Sequence, residues 1–113
     1  MDDVLPDVLA HGLRVVFCGS AAGGHSAAAG AYYAGPGNRF WPILHQIGLT
    51  PQRLAPMQFH DVLACGIGLT DLAKRQAGAD SQIADSAYDP PRLRRAIAHW
   101  RPQAVAFKGK RAG

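Results

Sequence analysis

Apolar positions along the chain fall into three short runs, separated by stretches in which they recur at helical spacing. Arg14 to Cys18, inside the apolar run from Leu13, carries adjacent valines and Phe17 and predicts a strand covered on both faces, as in a parallel sheet. Ile67 to Leu72 predicts a second, short strand ending near Thr70 and Asp71, and Ala104 to Phe107 a third. Between the first two, Phe40, Ile43, Leu44 and Ile47 share one face of a helix from Arg39 to Ile47, with Asn38 as its N-cap and Gly48 as its stop. Pro42 is tolerated there because its missing amide belongs to the first turn. Thr50-Pro51 and Pro56 are further helix starts, and Phe59, Val62 and Leu63 are spaced for a short amphipathic helix that Gly66 breaks. Asp89-Pro90-Pro91 opens the clearest helix, with Leu93, Ile97 and Trp100 on one face, Arg92, Arg95 and His99 on another, and Pro102 as its end.

The remaining stretches carry weaker patterns. Met1 to His11 reads as an extended surface lead, Lys74 to Asp89 as a loop with one helical turn, and Lys108-Gly109-Lys110 as the turn into another helix. Strands alternating with helices imply parallel βαβ units, hence an α/β fold with a short central parallel sheet. At 113 residues and 48% hydrophobic content a single domain over 1–113 is expected. The last strand has no covering element after it, so the sequence reads as the N-terminal portion of such a domain.

Composition narrows the class. No run of about 18 apolar residues is present for a membrane span, and the start Met-Asp-Asp lacks the basic and apolar regions of a signal peptide, so a cytoplasmic protein is expected. Cys18 and Cys65 sit in apolar contexts and are too few for a zinc site of the usual spacing; His45, His60 and His99 share no metal spacing either. The formal charge is +4, and seven of the twelve Lys and Arg lie in the last 22 residues: Arg92, Arg94, Arg95, Arg101, Lys108, Lys110 and Arg111. Such clustering suits a surface that meets phosphate, although a solvated helix face is the commoner cause.

The candidate chemistry lies in Gly19 to Trp41, a glycine-rich loop after the first strand that leads into the helix at Arg39. Open α/β sheets place ligands beyond the carboxyl ends of their strands, and glycine lets a ligand approach the backbone. Tyr32, Tyr33, His25 and Ser26 supply flat and polar groups within it. The loop lacks both Gly-Lys-Ser/Thr and the G-x-G-x-x-G spacing, which argues against a phosphate-binding nucleotide site.

Leu13 to Gly19, Ser26-Ala27, the Pro-Gly-Asn-Arg-Phe-Trp of Pro36 to Trp41 and the Gly-Leu-Thr of Gly68 to Thr70 are similar to the mismatch-specific uracil-DNA and thymine-DNA glycosylases of the uracil-DNA glycosylase superfamily. Tyr32 to Trp41 also resembles the hypoxanthine-DNA glycosylases, and the likeness runs from about Gly12 to Gly109. The resemblance implies a three-layer α/β/α fold and an enzyme that flips a damaged base out of DNA and hydrolyses its N-glycosidic bond without metal or cofactor. The expected partner is DNA containing uracil or another deaminated base, and the expected state is a monomer. By position, Tyr33 falls where relatives stack an aromatic on the base, with simple packing as its alternative. The amides of Ser20 and Gly23 match positions that hydrogen-bond the base, and Ser26 matches a serine near the base edge or, equally, a loop serine bonded to local backbone.

Ala21 departs from the pattern, because relatives carry there the asparagine that positions the attacking water. The role passes to Asp71 as first candidate, since a carboxylate can orient water and stabilise an oxocarbenium-like sugar. Its alternative is a helix cap or a loop salt bridge. His25 is the second candidate. A further DNA-inserting loop of the relatives would lie beyond Gly113. With Ala21, this leaves a catalytically inactive nucleic-acid-binding remnant as the competing reading.

Overall fold

The structure, a computed structural model, describes residues 3–35, 37–78 and 84–108. Pro36, the loop around Ser81 and the expected turn at Gly109-Lys110 lie outside the described residues. A three-stranded parallel sheet forms the middle layer, with β1 (Val15–Ala22) central, β2 (Ile67–Ala77) on one side and β3 (Val105–Phe107) on the other. Between β1 and β2 come α1 (Gly24–Ala29), α2 (Phe40–Gln46) and a 3₁₀ helix (Pro56–Cys65); α3 (Pro90–Trp100) joins β2 to β3. The elements build the three layers of an α/β/α fold.

Strand alternation sorts the core into two layers. On one face Phe17, Ile67 and Leu69 pack with Tyr32, Phe40, Trp41, Phe59 and Val62; on the other, Cys18 and Leu72 pack with Leu93, Ile97 and Val105. Leu93 and Ile97 therefore cover the second face as their helical spacing predicts, and the Asp89 side chain caps α3 by accepting from the Arg92 amide at 3.1 Å. Gly66 ends the 3₁₀ helix in the left-handed region at φ 78°, where glycine carries no Cβ penalty. Burial of Cys18 raises its thiol pKa to about 12, first by desolvation and then by the Asp71 charge, so this cysteine is an inert core group.

Four expectations need correction. Gly19 to Ala22 continue β1 instead of opening the loop, and Ser20 and Ala21 are strand residues. Small residues make poor strands alone, but here Gly19, Ala21 and Ala22 pair with β2, so tertiary pairing overrides propensity. For the same reason β2 runs through Lys74 to Ala77, which reads as loop in sequence, and Asp71 stands inside the strand, opposite Gly19, instead of at its end. The lead segment is not a surface strap: Leu5 and Val8 are buried, Val8 exchanges two backbone hydrogen bonds of 2.9 Å with Leu69, and the Val4 amide donates to the Lys74 carbonyl. Finally, Thr50-Pro51 starts no helix; the Thr50 hydroxyl donates to the Gln52 carbonyl at 2.8 Å in a turn.

Docking of that segment explains Gly68. A Cβ there would stand 2.7 Å from Leu13 Cδ1, 2.9 Å from the Val8 carbonyl oxygen and 3.1 Å from Val16 Cγ2. Overpacking of this kind costs about 1–3 kcal/mol. Gly68→Ala is expected to lower stability by about 2 kcal/mol, measured as a fall in the denaturation midpoint with an unchanged m-value; an unshifted midpoint would show that the segment is not seated there.

Candidate active site

Beyond Cys18 the central strand passes through three small residues, Gly19, Ser20 and Ala21, and the missing bulk opens a cleft of about 310 Å³. The cleft is lined by Ser20, Ala21, Gly23, His25, Ser26, Tyr33 and Asp71, all named as candidates from sequence, together with Gly19, Gly24, Gly35, Asn38 and Lys108. Asp71 and Tyr33 converge on Gly19: a Cβ built there would lie 2.6 Å from Asp71 Oδ1 and 3.7 Å from Tyr33 Oη. Glycine at this position is what gives the Asp71 carboxylate its space, whereas the Tyr33 hydroxyl would stay at ordinary contact distance.

Asp71 is 4% exposed. Its carboxyl pKa is raised to about 6, chiefly by desolvation, with the Lys74 and Arg92 charges opposing and the Asp7 charge adding to the rise. Behind it lies a polar knot. Arg92 donates to the Asp71 carbonyl at 2.7 Å, to Thr70 Oγ1 at 3.0 Å and to Asp7 Oδ2 at 2.8 Å. Thr70 donates to Asp7 Oδ1 at 2.6 Å, and Lys74 Nζ lies 2.9 Å from the same oxygen and donates to Tyr32 Oη at 3.1 Å. Burial raises the Asp7 pKa, but the Lys74 charge, the hydrogen bonds from Thr70 and Lys74 and the Arg92 charge together outweigh it and hold the carboxyl below its usual value. Arg92, read from sequence as part of a basic surface, is instead turned inward to fix the strand that carries Asp71. Asp7 was not legible as a member of the site, because its partners lie 63 and 85 residues away.

Tyr33 is held in the left-handed region at φ 52°, an uncommon conformation for a residue with a side chain. Its two neighbours are tied down. The Tyr32 carbonyl accepts from the Trp41 indole at 3.0 Å, and the Ala34 amide donates to Ser26 Oγ at 3.0 Å. The Asn-Arg-Phe-Trp segment thus serves Tyr33 directly, since Phe40 stacks against one face of its ring at 3.9 Å between centroids. The Tyr33 hydroxyl is buried with no hydrogen-bond partner among the described residues, and burial followed by the Asp71 charge pushes its phenol pKa up, so it stays neutral.

The remaining candidates divide. Ser26 is buried and its hydroxyl is engaged with the Ala34 amide, the local-backbone role. Gly23 precedes α1 with no side-chain cap on the first-turn amides, while His25 is exposed at the cleft mouth. Ala21 pairs with Ala73 and brings only a methyl group to the lining. Asn38 faces the same cleft while its Oδ1 accepts from the Phe40 amide at 2.9 Å, and Arg39, not Asn38, directly precedes α2. Among the described residues no group of three or more His, Cys, Asp and Glu is placed to hold a metal ion, and no helix is long and apolar enough to cross a membrane.

A similar fold occurs in the solution NMR structure of a candidate uracil DNA glycosylase from Methanosarcina acetivorans. The two match with a TM-score of 0.68 and 26% sequence identity, over 96% of this chain and 70% of that one. The profile of the Uracil DNA glycosylase superfamily matches residues 6–113. The chain that builds this cleft therefore belongs to the uracil DNA glycosylase superfamily.

Proposed function

We propose that the chain hydrolyses the N-glycosidic bond of uracil, or of a closely related deaminated base, in DNA and leaves an abasic site. The observation that carries this reading is the buried Asp71 carboxylate beside Gly19 in a cleft of about 310 Å³, next to an aromatic wall backed by Phe40. A flipped base entering above Gly19 would meet the Tyr33 ring, and stacking of base on aromatic contributes ~1–3 kcal/mol. The uncapped amides after Gly23 are donors suited to base carbonyls. Asp71 takes a proton from water as the water oxygen bonds to the anomeric carbon, and the base leaves with the electron pair of the broken C–N bond. A pKa near 6 suits this general-base role at neutral pH.

The inactive-remnant reading draws on Ala21, whose methyl group cannot hold a water. One assay separates the two: labelled oligonucleotides with uracil, hypoxanthine or mispaired thymine, single- and double-stranded, incubated with the chain and then cleaved at abasic sites by alkali. Strand scission at uracil is the expected result. Tight binding of uracil-containing DNA with every strand intact would instead establish the remnant.

A further inference from the structure

The register of the sheet places three residues in one row across it. Gly19 pairs with Asp71 of β2, and because Cys18 pairs with Phe107 of β3, the next residue on that side, Lys108, stands level with Gly19. The Lys108 amide donates to the Cys18 carbonyl at 2.8 Å, which carries the ladder to this point. Residues in one row of a parallel sheet project from the same face, and neighbouring strands lie ~4.8 Å apart, so Asp71 and Lys108 start roughly 10 Å apart with the bare backbone of Gly19 between them.

The Lys108 ammonium is held beside the aromatic wall, not across it. Its Nζ lies 5.4 Å from the Tyr33 centroid and 5.2 Å from the Phe40 centroid, while those centroids are 3.9 Å apart. Near-equal distances to two stacked rings put the ammonium at the rim of the pair, where it leaves the outer face of Tyr33 uncovered. Among the described residues Lys108 makes no ion pair, and it is the one Lys or Arg of these that lines the cleft. The cleft thus has a carboxylate on its β2 side and an ammonium on its β3 side.

Resting on the glycosylase reading above, we propose that Lys108 is a catalytic residue that stabilises the departing base as an anion, its charge and that of Asp71 being set across the breaking bond. In the cleavage, the C1′–N bond breaks and both its electrons go to the base, while positive charge builds on the sugar. Water supplies the oxygen that completes C1′, Asp71 receives the water's proton, and the base anion later takes a proton from solvent. Lys108 stays protonated throughout. The sugar side of this charge separation lies toward Asp71 and the base side toward Lys108, so each fixed charge stabilises the transition state more than the ground state.

Leaving-group dependence tests this. Single-turnover release of uracil and of 5-fluorouracil, whose anion is intrinsically more stable, is measured for the unaltered chain, Lys108→Met and Lys108→Arg. Lys108→Met is expected to slow uracil release ~100-fold and 5-fluorouracil release ~10-fold less than that, because the better leaving group depends less on the cation. Lys108→Arg should keep the parent ratio of the two rates. Lys108 is exposed, so the thermal midpoint should be unchanged and a folding defect is separable. Equal slowing of both bases, or no slowing, with an active parent chain would overturn the role of Lys108 alone. An unaltered chain that releases neither base would overturn the glycosylase reading itself, and this inference with it.

Discussion

Asp71→Asn is expected to lower the single-turnover rate of uracil release by ~10²–10⁴-fold and to abolish its dependence on pH near 6. In the parent chain the carboxyl must be ionised to accept the water's proton, so release should fall tenfold per pH unit below about 6, the raised pKa of Asp71. The variant, with no proton to gain, should show a flat and low profile. The same substitution acts oppositely on stability. The folded pKa lies above the ordinary 3.8, so the folded chain keeps a proton that the unfolded chain has released. The stability associated with the neutral carboxyl is fully present below about pH 4 and is lost as pH rises through about 6. At pH 8 Asp71→Asn should therefore be the more stable chain, by a gain on the order of 1–3 kcal/mol, and this gain should vanish in acid. Denaturant melts of both chains across pH 4–8 check it. A variant that keeps parental release rates would remove Asp71 from the chemistry.

Gly19→Ala should cost ~100-fold in the same rate, although it adds one methyl group to a residue that touches no proton. The backbone of Gly19 does not lie at positive φ, so alanine is conformationally acceptable and the effect comes from contact alone. Its Cβ would stand 2.6 Å from Asp71 Oδ1, nearer than real Cβ contacts allow, and the carboxylate must move. A misplacement of about 1 Å is enough for a loss of that size, whereas the accompanying overpacking should cost only ~1–3 kcal/mol of stability. Because both substitutions act on one carboxylate, Gly19→Ala combined with Asp71→Asn should be no slower than Asp71→Asn alone. Multiplied losses in the double variant would show that Gly19 serves something else.

Elements whose information is local were legible in the sequence: α3 from Asp89-Pro90-Pro91 and its periodic Leu93 and Ile97, β3 from its apolar run, and the first half of β1 from its valines. So was the membership of the cleft, where all of Ser20, Ala21, Gly23, His25, Ser26, Tyr33 and Asp71 meet. What escaped depends on register and on distant partners. Nothing in Gly-Ser-Ala-Ala announces a strand until β2 lies alongside, and nothing near Asp7 announces Thr70, Lys74 and Arg92. Lys108 reads as one basic residue among several until the pairing of Cys18 with Phe107 sets it level with Gly19. Ser26 shows the converse. Its local backbone bond was open to inspection in the sequence as one of two readings, and the hydroxyl is indeed engaged in it.

The Asp7 knot also has a bearing on how the site comes into being during folding. Its bonds close loops of 63 and 85 residues, among the longest-range polar contacts described, and such contacts form late because chain entropy opposes their closure. The polar knot behind Asp71 is complete only when both the amino-terminal segment and α3 have docked. The order of assembly thus makes the placement of the Asp71 carboxylate a product of the completed chain topology, and transient detachment of residues 3–8 would loosen the polar knot behind it while most of the core remained intact.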